Sequence, residues 1–265
     1  MATVNEIYAY LDHIAPFALQ MSFDNAGFLV GRGTTHVERV LVTLDITESV
    51  VEEAALLGCQ LIVSHHPVIF HPAKSITDET VPGRILLALT EQKIAAICAH
   101  TNLDAAQGGV NCCLAQALEL EQIGQLHQDG VDPSGQPYGI GRVGRACRPG
   151  LSAAEYAAYV KEKLGAASVR YVDGGRPVER VAVGGGACGS MLSDAVAAGC
   201  DTFVTADLKY DQYLEARALG INLMDAGHYP TECVVCGPLA ERLAVQFPDL
   251  SVTVSSRHRE IYSGV

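Results

Sequence analysis

The sequence predicts an α/β fold made of two related halves. Three observations predict it. Strands and helices alternate along the chain, one strand–helix–strand stretch recurs 141 positions later (181 − 40), and a histidine–carboxylate pair follows each copy. Alternation of this kind lays largely parallel strands in a sheet with helices packed on it.

In chain order, the first half (1–126) begins with a helix over Asn5–Asp12. The short apolar runs VLVTL and LIVS predict strands at Val40–Leu44 and Leu61–Ser64, and a third strand follows at Ile94–Ala99. Longer mixed segments between and after them predict helices over Glu48–Leu57, Arg84–Gln92 and Gly109–Glu119. The second half (153–265) repeats the scheme. Its helices are expected at Ala153–Lys163, Met191–Ala198, Asp211–Leu219 and Val234–Ala244. Its strands are expected at Val181–Gly184, Phe203–Thr205, Ile221–Asp225 and Ser251–Val254. Between the halves, HQDGVDPSGQPYGIGRVGRACRPGLS (127–152) is rich in Gly and Pro and reads as a linker with one short strand near Tyr138–Val143. The two halves are expected to pack into one continuous body.

The repeat is specific. VLVTLDITESVVEEAALLGCQLIVS (40–64) lies without a gap over VAVGGGACGSMLSDAVAAGCDTFVT (181–205), with identities that include Gly58/Gly199 and Cys59/Cys200. A glycine at that place ends a helix in a left-handed residue, so identity at the turn favours duplication over convergence. At a different offset, His100-Thr-Asn-Leu-Asp104 is matched by His228-Tyr-Pro-Thr-Glu232. Both motifs sit where a strand exits toward a helix, and such strand ends gather ligands in open α/β sheets.

Composition narrows the function. Hydrophobic residues make up 49% and charged residues 18%, an ordinary globular balance. The net charge of −12 argues against broad binding to nucleic acid or anionic lipid. Arg257-His258-Arg259 is the one basic cluster and reads as a solvated tail. Neither a signal peptide nor a membrane span is expected, which places the protein in the cytoplasm. The nine cysteines are then expected as free thiols, with Cys233 and Cys236 on a helix rather than in a zinc site.

SHHPVIF (64–70) sets two imidazoles at a strand end just before Pro67. Consecutive strand side chains diverge, so His65 and His66 can each serve a different ion. With His100, Asp104, His228 and Glu232 they form a nitrogen–oxygen donor set suited to Zn, Mn, Fe, Co or Ni. A carboxylate can bridge two ions, and the set is large enough for two. His71 reads as a loop residue or an outer partner, while His13, His36, His127 and His258 lack comparable context. The glycine run VGGGACGS (183–190) lacks the Lys-Ser/Thr ending of a phosphate loop, and its glycines can equally let a helix or backbone approach closely.

SFDNAGFLVG (22–31), SHHPVIF, AHTNLDAAQGGVN (99–111), ADLKYDQYLEA (206–216) and DAGHYPTE (225–232) together resemble the NIF-three-like proteins, also named GTP cyclohydrolase I type 2 homologues. The resemblance runs nearly end to end. It implies two α/β halves around a dinuclear site, assembled as a hexamer described as a dimer of trimers. By that resemblance His66 and Asp104 bind one metal, His65 and His228 the other, Glu232 bridges both, and His100 is an outer partner or extra ligand. Asp211 departs from the histidine common in similar proteins, and 127–152 is too short for the middle domain of longer relatives. The implied activity is metal-dependent hydrolysis of a small, nucleotide-like substrate, with water activated for attack on carbon or phosphorus; for GTP the electrophile would be C8. The alternative is a non-catalytic metal-binding ring that regulates a partner or stores metal.

Overall fold

The computed structural model describes residues 2–131, 135 and 137–263. It divides the chain into two compact units, one of 1–106 with 236–259 and the other of 107–235 with 260–265. Each unit is built on one main sheet and carries a separate two-stranded sheet.

In the first unit β1 (Ala2–Thr3) leads into α1 (Val4–Ile14), where Thr3 accepts from the Glu6 N–H and the Glu6 carboxylate accepts from Thr3 N–H. That reciprocal cap satisfies two otherwise orphaned donors. Then follow β2 (Gly27–Val30), β3 (His36–Val37), β4 (Arg39–Thr43), α2 (Glu48–Leu57), β5 (Leu61–Ser64), α3 (Val81–Glu91), β6 (Ala95–Cys98) and α4 (Thr101–Ala105). The C-terminal α10 (Cys236–Gln246) and β15 (Ser251–Val254) complete the unit. Its sheet runs β15-β4-β5-β6-β2, parallel except for the antiparallel edge strand β2. Strands β5 and β6 are buried at every residue, which is why LIVS and AAIC show no polar alternation. Leu41, Val50, Ile62, Leu89 and Ala96 form the core between sheet and helices.

The second unit contains α5 (Val110–Ala117), β7 (Glu121–Gln125), β8 (Gly130–Val131), β9 (Pro137–Tyr138), β10 (Arg142–Arg145), α6 (Ala153–Leu164), β11 (Arg170–Val172) and β12 (Arg180–Val183). It continues through α7 (Leu192–Ala197), β13 (Thr202–Thr205), α8 (Tyr210–Leu219), β14 (Asn222–Asp225) and α9 (His228–Glu232). The six-stranded sheet has the order β11-β14-β13-β12-β10-β7. Only β12, β13 and β14 are parallel, so this sheet is mixed where largely parallel strands were expected. Tyr156, Val160, Val181, Val204 and Met224 form part of its core.

The expected boundaries need correction. The division after 126 moves to 106, because β7 pairs with β10 in the second sheet. The last helix and strand, placed in the second half by chain order, belong to the first unit, because β15 pairs with β4. The segment 127–152 is more than a linker: β10 is a full member of the six-stranded sheet. Its expected strand at Tyr138–Val143 is broken into β9 and β10 by Gly139 and Gly141, both at positive φ. Residues 132–134 and 136 of that segment lie outside the described residues.

The repeated stretch keeps one register in both sheets. Val40 pairs with Leu61 and Val181 with Thr202, and both members shift by 141 (181 − 40, 202 − 61). Gly58 and Gly199, at φ 66° and 73°, turn the chain after the matching helices. Parallel strands bring their carboxyl ends to one edge, and every predicted ligand stands just beyond such an end.

Candidate metal centre

Beyond β5 the ladder continues for two residues. His65 N–H and His66 N–H donate to Thr43 and Leu44 carbonyls at 3.2 and 2.9 Å. Pro67, which has no N–H, ends the ladder there. Ser64 Oγ donates to the His66 carbonyl at 2.8 Å and closes the turn. From β6, His100 stands at the start of α4, and Asp104 follows one turn later within it.

His65, His66 and His100 form a tight group in the first unit. Their ring centroids are 5.0, 5.2 and 5.4 Å apart, and one ligand atom from each lies within 4.8 Å of the others. Asp104 Oδ1 is 3.7 Å from His65 Nε2. Each Nδ1 is already committed. His65 Nδ1 donates to the Ala99 carbonyl at 2.8 Å, His66 Nδ1 to Asp45 Oδ1 at 2.7 Å, and His100 Nδ1 to Asp24 Oδ1 at 2.8 Å. A carbonyl or carboxylate only accepts, so a proton sits on Nδ1, and in the neutral ring Nε2 then carries the lone pair a metal needs.

The second unit does the same with other residues. His228 opens α9, donates from Nδ1 to Asp207 Oδ2 at 2.6 Å, and lies with Nε2 3.0 Å from Glu232 Oε2. The 183–190 glycines explain how Glu232 reaches that place. Gly186, at φ 65°, leaves no room for a side chain: a Cβ there would stand 2.1 Å from Glu232 Oε1. Its N–H donates to Thr231 Oγ1, and Gly185 N–H donates to Asn111 Oδ1. The run is therefore a seat for the His228–Glu232 helix, the close-approach reading of these glycines.

Electrostatics supports the assignment of protons. Burial pushes the Asp24 carboxyl up, but hydrogen bonds from His100 and Thr101 outweigh it and hold the group well below the usual range. Asp45 follows the same pattern, with burial outweighed by contacts to His258 and His66. Both remain ionised acceptors. By contrast, burial pushes the half-buried Cys233 and the fully buried Cys98 thiols up to about 11, away from the thiolate form a ligand would need.

All four imidazoles thus present Nε2, and the carboxylates of Asp104 and Glu232 are buried, at 7% and 3% exposure. Nitrogen and oxygen donors fixed in this way fit a divalent first-row metal. His71 instead meets Phe70 edge to face, and Asp211 occupies the first turn of α8, where a carboxylate complements the helix dipole. Asp24, Asp45 and Asp207 were not anticipated. The one sequence signal for two of them is a shared spacing, 21 residues from Asp45 to His66 and from Asp207 to His228.

The model of the Duf34/NIF3 (NGG1p interacting factor 3) family matches residues 2–260. The chain belongs to this family. Among its relatives, the GTP cyclohydrolase 1 type 2 homologue of Streptomyces coelicolor is 37% identical, over 95% of this chain and 87% of that one. The Clostridium perfringens homologue is 31% identical over 91% and 90%. A Helicobacter pylori relative named GTP cyclohydrolase 1 type 2 is 33% identical over 88% of each. Among solved structures, a Staphylococcus aureus hypothetical protein superposes with a TM-score of 0.92 at 29% identity, covering 99% of both chains. A Bacillus cereus protein related to NIF3 gives 0.91 at 24% identity over 100% and 99%, which speaks to fold. Among the described residues, no helix of this family member is long and apolar enough to cross a membrane.

Proposed function

We propose that this NIF3-family chain binds two divalent metal ions and hydrolyses a small, nucleotide-like substrate. His66 and Asp104 hold one ion, His65 and His228 the other, Glu232 bridges them, and His100 stands as outer partner or extra ligand. One observation carries the reading: all four histidines have Nδ1 fixed on a protein acceptor, which a ligand set needs and a set of turn residues does not. The relatives' names support the nucleotide class, since the three described above are all named for GTP cyclohydrolase 1 type 2.

Bound there, divalent ions would supply Lewis-acid charge for activating water and stabilising a developing oxyanion. The chain's own residues do the rest. Ala99, Asp45, Asp24 and Asp207 hold the imidazole protons on Nδ1 and keep each ring from turning. Glu232, seated by Gly186, and Asp104 would supply the buried carboxylate donors of the set. The assembly we propose is a homohexamer, tested by native mass spectrometry.

A second reading is favoured by the family's description as an interacting factor: a non-catalytic metal-binding ring that regulates a partner or stores metal. Elemental analysis of purified protein should give close to two first-row ions per chain. Metal-loaded protein should then turn over a member of a nucleotide and phosphoester panel, and chelation should abolish it. Two ions without turnover of any panel member would favour the second reading.

A further inference from the structure

Sequence reading set His258 aside as part of a solvated basic tail, yet it is buried, at 9% exposure. Its Nε2 lies 2.8 Å from Asp45 Oδ2, while the other oxygen of Asp45 holds the His66 Nδ1 proton. One carboxylate therefore holds the His66 imidazole by a hydrogen bond and faces the His258 imidazole at ion-pair distance, and only His66 belongs to the metal set.

A built turn delivers His258 to this place. Past the end of β15, Ser255 N–H still donates to the Val42 carbonyl at 2.8 Å. Glu53 on α2, itself buried, accepts from Ser255 Oγ, from Ser256 Oγ at 2.6 Å and from Ser256 N–H at 2.9 Å. His258 N–H donates in turn to Ser255 Oγ at 3.3 Å, and Arg257 reaches Glu52 at 3.0 Å. A buried carboxylate that commits its oxygens to three donors is costly to leave unsatisfied, so the segment is anchored.

We propose that 255–258 is a positioning strap for the metal centre: His258, acting through Asp45, fixes the orientation of His66. The proposal rests on the metal-centre reading above. The Asp45 side chain is 39% exposed, so packing alone does not set the plane of its carboxylate. A contact to one oxygen leaves that torsion loose; a second partner on the other oxygen fixes the plane and, with it, the His66 ring. Strap docking and occupancy of the His66 ion are then coupled, and coupling of this kind is reciprocal.

The test uses full-length protein freed of metal by chelation and titrated with Zn²⁺ against a competing chelator. His258→Phe keeps a ring without a donor, and His258→Gln keeps an N–H. His258→Phe should weaken one of the two binding steps by roughly 10- to 100-fold and leave the other near wild type. His258→Gln should recover most of that loss. Hydrogen exchange across 255–259 should slow on zinc binding in wild type and stay unchanged in His258→Phe. Two ions bound by His258→Phe with wild-type affinities would overturn the strap and leave the metal centre standing. If wild-type protein binds no zinc, the metal-centre reading and the strap fall together.

Discussion

Positions 45 and 66 of the first unit correspond to 186 and 207 of the second, since 186 − 45 and 207 − 66 both equal 141. The two units use these positions in opposite ways. In the first, Asp45 is the support and His66 the metal candidate. In the second, Gly186 withdraws its side chain so that Glu232 can occupy the space, and Asp207 becomes the support, holding His228. The frame is shared, down to the register of the paired strands. The chemistry placed on it has been exchanged. A strand end in a parallel sheet offers a fixed place, and either a ligand or the group that orients one can occupy it.

The largest effect expected from this contrast is on Glu232, the residue to which the second unit gives its space. If it bridges, Glu232→Gln should strip both ions, whereas Asp104→Asn in the first unit should deplete mainly one. Elemental analysis decides between them, and a Glu232→Gln protein that retains two ions would end the bridging assignment.

Next in size is Gly186→Ala. The new methyl would stand 2.1 Å from Glu232 Oε1, and φ 65° adds strain of about 1–2 kcal/mol for any residue with a Cβ. Metal content should fall together with the denaturation midpoint. The matching change in the first unit, Asp45→Gly, creates no clash and should weaken one ion while leaving Glu232 in place. Equal metal loss in both variants would show that the exchange of roles has been misread.

The supports come third. Asp45→Asn and Asp207→Asn each replace an obligate acceptor with an amide that can turn its donor side toward the imidazole. Each should cost about 10- to 100-fold in affinity for the ion its histidine holds. Chelator competition should find the two losses on different binding steps, because the supports serve different histidines.

These variants also mark the limit of what the sequence revealed. The ligand candidates His65, His66, His100, Asp104, His228 and Glu232 were legible because they come in short runs at strand ends. Their supports were not, because Asp24 lies 76 positions from His100, and a lone aspartate carries no local pattern. His258 was missed for the same reason, 213 positions from Asp45 (258 − 45). Central strands such as LIVS were found by their unbroken apolar character. The edge strand β7, EQIGQ, was missed because it is mostly exposed and reads as a loop. Chain order also misplaced α10 and β15, since the pairing of β15 with β4 spans about two hundred residues and leaves no local mark.

The smallest effect concerns the frame alone. Gly58 and Gly199 follow matching helices with φ 66° and 73°, and Gly58 precedes β5 while His65 follows it, so the turn and the candidate stand at opposite ends of that strand. A Cβ at Gly58 would meet only Arg39 Nη1, at 3.5 Å, and one at Gly199 would meet nothing within 4 Å. Neither position is crowded, so alanine at either should cost only the left-handed backbone penalty, about 1–2 kcal/mol by urea denaturation. The two costs should be similar, and in the double variant they should add within about 0.5 kcal/mol, as distant independent sites do. Metal content should not change in either variant. If Gly58→Ala loses an ion while Gly199→Ala does not, the helix-ending turn in the first unit helps hold the cluster, and frame and chemistry are less separable than the exchange at 45/186 and 66/207 implies. Matched costs with both ions retained would place the whole difference between the units in the residues beyond the strand ends.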